Sequence, residues 1–255
     1  MSVPHAFLLN ITRSVVLMFL TFVTGETQIT EVYPSRSANI GVFICVKCSG
    51  VHDFTRYIWV FFLVDKSDVF ATFKSFVKGI HNEFETTIKR VRSDNGSEFK
   101  NTRIDELYDE FGIRHQFSAK YTLQSNGLVE RKNRTLIDMT RSMLSEYNVS
   151  QSFWTEAINM ACYYSNRLYC HPLKEKTPYE LLNGRKPNIA YFLVFGCKCY
   201  ILKKGTRLGK FDKKCDKGFL LGYSTTSKAY RVWNLDSGTL EKFMMLNLMK
   251  SRVHK

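Results

Sequence analysis

The chain has 255 residues, of which 44% are apolar, enough for one large domain or two modest ones with real cores. Thirty-seven basic residues against 23 acidic ones give a formal charge of +14, which suits a polyanionic partner, nucleic acid above all. Seven cysteines without regular spacing exclude a secreted disulfide framework.

Residues 1–28 match no pattern and remain unassigned. Within them Ser14 to Val23 is a run of ten, too short to span a bilayer, which takes about 20 residues. No membrane partner is expected. Ile40 to Leu63 is rich in Val, Ile, Phe, Tyr and Trp and breaks at Ser49-Gly50, predicting a β-hairpin whose second arm is Tyr57 to Leu63. Cys45-Val46-Lys47-Cys48 lacks the second Cys or His pair of a tetrahedral site, so no zinc is expected. Ser67 can cap a helix on which Val69, Phe73, Phe76, Val77, Ile80 and Phe84 form one apolar stripe. Ile88 to Ser93 reads as a strand that breaks at Asp94-Asn95-Gly96. Ile104, Leu107, Tyr108 and Phe111 mark a short helix stopped by Gly112, and Ile113 to Phe117 a further strand. Ser118 to Gly127 reads as a polar loop, the place for a lid. A long amphipathic helix is predicted from Leu128, with Val129, Leu136, Met143 and Leu144 inward. Another follows through Phe153, Trp154, Ala157, Ile158, Ala161, Tyr164 and Leu168. Pro187 to Val194 is a connector, after which short strands separated by Gly, Lys and Ser begin at Phe195.

Two carboxylates organise this series. Asp94 stands in Val91-Arg92-Ser93-Asp94-Asn95-Gly96-Ser97-Glu98-Phe99, and Glu130 in Gln124-Ser125-Asn126-Gly127-Leu128-Val129-Glu130-Arg131-Lys132-Asn133-Arg134. Thirty-five residues lie between them. Aspartate at a strand end, thirty-five residues, then glutamate on a helix is the D,D-35-E spacing. With the words around both carboxylates, it resembles the integrases of Ty1/copia-type LTR retrotransposon Pol polyproteins. Thr30-Glu31-Val32-Tyr33-Pro34-Ser35 resembles that family's Thr-Asp-Val-Trp-Gly-Pro-Ser, with Glu31 where the first catalytic aspartate stands. No aspartate precedes Asp53, which falls in Val51-His52-Asp53-Phe54, so the candidate third ligand is Glu31 or Glu26, and position favours Glu31. Lys176-Thr177-Pro178-Tyr179-Glu180 also resembles the integrase core.

The resemblance implies an α/β fold: an RNase H-like mixed sheet flanked by helices over 29–187, then a small SH3-like β-barrel over 195–237. Residues 238–255 depart from the family as a divergent basic tail, and the family's upstream zinc domain has no counterpart, which suggests a truncated chain. The implied activity is polynucleotidyl transfer in DNA integration, an in-line displacement at phosphorus. Two Mg²⁺ ions roughly 3.5–4 Å apart serve such a reaction, and Mg²⁺ takes hard carboxylate oxygens. Asp94, Glu130 and Glu31 are thus the expected catalytic and metal-binding residues, with Mn²⁺ as a substitute ion. Arg131, Lys132 and Arg134 stand beside Glu130, placed to meet phosphates. Lys203, Lys204, Arg207 and Lys210 belong to a stretch with seven basic and two acidic residues between 203 and 217, a surface for DNA backbone contacts. Expected partners are retroelement ends, target DNA and further copies of the chain, and an integrase is expected in the nucleus. Glu31 adds one methylene where ligands must sit within about half an ångström, so impaired catalysis is expected. The alternative is a non-catalytic nucleic-acid-binding remnant of a Pol polyprotein.

Overall fold

A computed structural model describes residues 41–45, 55–63, 68–84, 88, 90–93, 102–117, 123–170, 174–203, 210–244 and 248–250. Its contacts divide the chain into two compact units, one of residues 1–136 and 162–187, the other of residues 137–161 and 188–255.

The first unit opens with an antiparallel pair, β1 (Gly41–Cys45) and β2 (Tyr57–Phe61), in a register that sets Phe43 opposite Trp59. This is the predicted hairpin. Side chains alternate along β2. Trp59 and Phe61 each meet Phe76 edge to face, with ring centres 5.5 Å apart, while Ile58 is 2% exposed. Phe76 belongs to α1 (Asp68–Phe84), whose buried residues Val69, Phe73, Phe76, Val77 and Ile80 are the predicted stripe. Ser67, the expected cap, lies outside the described residues.

A parallel pair follows, β3 (Arg90–Ser93) with β4 (Arg114–Phe117). The crossover between them is α2 (Thr102–Glu110), which buries Ile104, Leu107 and Tyr108. It stops where Gly112 takes a left-handed φ of +63°, with the Ile113 N–H donating back to the Tyr108 carbonyl at 2.7 Å. Ile88, Val91 and Ile113 join these helices in one continuous apolar cluster. Among the described residues the two pairs are separate two-stranded ladders, antiparallel and parallel, which together give the mixed strand polarity expected of an α/β core. Tyr108 and His115 stack with ring centres 4.5 Å apart, and burial pushes the imidazole down to about 4. A histidine whose folded pKa lies below its ordinary 6.5 supports the fold above pH 6.5 and withdraws that support as pH falls towards 4. The urea midpoint of the wild type should therefore drop over that interval by more than that of His115→Gln. Equal drops would exclude His115 as the source.

Next comes α3 (Leu123–Glu146). It begins five residues before the expected Leu128, so Gly127 lies inside the helix instead of ending a loop. One internal glycine costs a helix about 1 kcal/mol, which the flanking turns of this long helix absorb. A 3₁₀ turn at Gln151–Phe153 leads into α4 (Trp154–Leu168). The short α5 (Pro178–Asn183) is capped by the Thr177 hydroxyl, which accepts from the Glu180 N–H at 3.1 Å. Arg167 of α4 lies over the rings of Tyr163 and Tyr179, 3.7 and 4.5 Å from their centres, and so pins α5 to α4.

The second unit is built on a five-stranded antiparallel sheet in the order β8-β7-β6-β5-β9. Its strands are β5 (Lys198–Leu202), β6 (Cys215–Tyr223), β7 (Ala229–Asn234), β8 (Thr239–Met244) and β9 (Leu248–Lys250). Residues 238–255, read from the sequence as a divergent tail, therefore hold the last two strands. Phe195, Leu220 and Val232 are fully buried. At Gly218 a side chain would run into the Trp233 carbonyl oxygen and come within 3.0 Å of Ile201 and Val232, so close strand packing needs glycine there. Residues 137–161 pack on this sheet: Phe153 meets Phe219 and Trp233, and Glu156 pairs with Arg231 at 2.5 Å. The connector is tied down as well, since the Leu193 N–H donates to the Tyr223 hydroxyl and the Tyr230 hydroxyl to the Tyr191 carbonyl, both at 2.8 Å.

Candidate active site

The candidate carboxylates follow from how the first unit places its strands and helices. β3 ends at Ser93, the residue before Asp94, and the parallel register sets Ser93 beside Phe117, the last residue of β4. Both strands thus finish at the same end of the ladder, where active sites of α/β proteins gather. The chain then enters α3, whose third turn carries Glu130. Asp94 and Glu31 lie outside the described residues, as does the side chain of Glu130. What the structure supplies is a strand end and a helix, the two rigid elements that such a site requires.

Of the cations beside Glu130, Arg134 is exposed and Lys132 half-buried, while the Arg131 side chain is not among those described. Burial holds the Lys132 ammonium below its usual range, and the guanidinium of Arg56 pushes it further down. Arg56 was assigned no role from the sequence. It sits just before β2 with a left-handed φ of +54°, next to Thr55, whose hydroxyl accepts from the Tyr57 N–H at 3.3 Å. A left-handed backbone at a residue other than glycine stores strain and marks a position worth testing. The cue in the sequence was an arginine two residues after Asp53-Phe54, and only the fold brings it towards Lys132.

In the second unit the basic loop is partly neutralised from within. Lys203 pairs with Asp216 at 3.2 Å, and Lys213 with Asp236 at 2.6 Å and Asp216 at 3.8 Å. Hydrogen bonds from the Lys213 ammonium and the Lys217 N–H hold the Asp236 carboxyl below its usual range. Lys210 is exposed, and Lys204 and Arg207 lie outside the described residues. Among the described residues, no three His, Cys, Asp or Glu side chains group as a metal site, and no helix is long and apolar enough to cross a membrane.

Known proteins match this arrangement in the same order. An integrase core domain family matches residues 44–122, and the retroviral polymerase SH3-like domain matches residues 197–242. The core match includes Asp94, begins after Glu31 and stops short of Glu130. The retrovirus-related Pol polyprotein from transposon TNT 1-94 of Nicotiana tabacum is 34% identical over 184 residues, 72% of this chain. That from transposon RE2 of Arabidopsis thaliana is 36% identical over 190 residues, 74% of this chain. The Ty1-DR4 Gag-Pol polyprotein of Saccharomyces cerevisiae is 26% identical over 70% of it. The chain spans 14%, 13% and 11% of these polyproteins. Two domain matches in order, integrase core before retroviral SH3-like domain, together with relatives of one lineage, place this chain with the integrases of Ty1/copia-type retrotransposon Pol polyproteins.

Proposed function

We propose that the chain is a polynucleotidyl transferase segment of a retrotransposon integrase, acting in DNA integration and weakened by Glu31. The reading is supported by a parallel strand, β3, that ends at the residue before Asp94 and by a helix, α3, that includes Glu130, with thirty-five residues between the two carboxylates in the sequence. Asp94, Glu130 and Glu31 are hard-oxygen donors of the kind that hold Mg²⁺ or Mn²⁺. When bound, such ions polarise a phosphodiester and lower the pKa of attacking water. Lys132 and Arg134 would grip the phosphates beside the scissile bond, and the exposed arginine is the more available of the two for bidentate contact. A strand-transfer assay on a short duplex carrying a retroelement end tests the reading, with Mg²⁺ and Mn²⁺ in turn. No product under either ion, with DNA binding intact, would favour a non-catalytic nucleic-acid-binding remnant. The observation favouring that second reading is glutamate at position 31.

DNA binding should be non-specific and salt-sensitive. Log K should fall with log salt by about 0.9 for each phosphate neutralised on duplex. Lys210→Glu should reduce the slope by about one. Lys203→Glu should reduce it less, because Asp216 already takes up that charge. A slope unchanged by Lys210→Glu would remove this loop from the DNA surface.

A further inference from the structure

The loop between β5 and β6 ends in a feature that packing does not explain. The last cross-strand pair is Leu202 with Cys215, and the Lys203 N–H donates to the Lys214 carbonyl at 3.0 Å, closing the base of the loop. The ion pairs of Lys203 and Lys213 lie at that base. Beyond it Phe211 is 94% exposed, more than any other large apolar side chain among the described residues. The Lys210 ammonium stands 6.0 Å from its ring centre, and the Lys214 side chain is exposed nearby in sequence. A ring held in water contributes nothing to a core, so its chemistry is turned to a partner.

We propose that Phe211 stacks on an unpaired nucleobase, with Lys210 and Lys214 on the flanking phosphates, so that the loop binds single-stranded DNA. This rests on the DNA-handling function above. Charge selects the partner class: lysines are depleted from the centres of protein–protein contacts, whereas aromatic rings set among cations are the usual means of holding single strands. The geometry selects the single strand. A ring this exposed reaches a splayed base freely but must pay unstacking to enter a duplex. Stacking of this kind tolerates any sequence, because every base offers a π-face.

Fluorescence anisotropy with the full chain tests this, using a labelled oligothymidine strand, the same strand with abasic sugars, and a matched duplex. Phe211→Ala should weaken binding to the strand by about 5- to 150-fold, with the salt slope unchanged because no charge is lost. Phe211→Trp should preserve it. The abasic strand, which keeps every phosphate, should bind the wild type more weakly by a similar factor and Phe211→Ala no more weakly than the intact strand. Thermal midpoints should coincide, since the ring is solvent-exposed. Wild-type affinity of Phe211→Ala for the strand, or an abasic penalty equal in both proteins, would overturn the stacking role. If duplex binding then remained salt-sensitive, the proposed function would stand without it. Loss of all DNA binding in the wild type would sink both.

Discussion

Strand transfer by the unmodified chain in Mg²⁺ is expected to be weak, to rise about 100-fold in Glu31→Asp, and to vanish in Asp94→Asn. The first half of this result follows from ligand reach. Mg²⁺ demands near-ideal octahedral geometry, and the extra methylene of glutamate moves its carboxylate by roughly the length of a bond. A misplacement of about 1 Å at a reacting centre can cost about 100-fold. Shortening the side chain to aspartate at the same backbone position should recover that factor. The second half follows from position: Asp94 directly follows Ser93 of β3, whose Val91 is fully buried, so the backbone that delivers it is anchored. Asparagine keeps the shape and removes the charge. Robust transfer by the unmodified chain would refute impairment by Glu31, and activity surviving Asp94→Asn would refute the site itself.

Much of this architecture could be read from short-range pattern, and what could not depended on distant partners. The α1 stripe was legible because six apolar residues repeat at helical spacing, and five of the six are buried. Gly112 was legible because a helix end followed at once by strand residues leaves few alternatives. The start of α3 was misread because Ser118 to Gly127 reads as a polar loop, whereas one internal glycine is a weak propensity that the flanking turns of a 24-residue helix override. β8 and β9 were missed because residues 238–255 read as a divergent basic tail, although Thr239 to Met244 pairs with β7 residue by residue. The carboxylate motifs were legible as words, whereas Arg56 was not, because its significance lies in its approach to Lys132 on another element. Lys203 shows the same limit in reverse. Counting charges made it free, and the fold gave it Asp216.

The clearest case of a residue silent in the sequence carries the second large effect: Asn166→Leu should cost the first unit about 2–4 kcal/mol. Asn166 sits on the buried side of α4, 2% exposed, and its partner is 108 positions earlier in the chain. Its carboxamide accepts from the Ile58 N–H at 2.8 Å and donates to the Ile58 carbonyl at 2.7 Å, so one side chain satisfies both polar groups that Ile58 offers. The Cys162 thiol also donates to that carbonyl, at 3.2 Å. Leucine fills the volume but leaves the N–H without a partner in a region where Ile58 is itself 2% exposed. A buried orphan donor costs about 1–3 kcal/mol, and the lost carbonyl bond adds about one more. Against a typical total of about 5–15 kcal/mol, that is a large share. Asn166→Asp makes the finer test. A carboxylate could still accept from the N–H, yet its second oxygen would face the Ile58 carbonyl, so only the protonated acid reproduces both bonds. The introduced carboxyl should have a folded pKa above its unfolded value. Stability relative to wild type is then greatest at low pH and is lost as pH rises through the folded pKa. Denaturant unfolding of both variants beside the wild type at several pH values reads this directly. A cost for Asn166→Leu below about 0.5 kcal/mol, the range of ordinary surface substitutions, would show that the Ile58 backbone has other partners. A penalty for Asn166→Asp that did not change with pH would show that the carboxamide does not bridge it.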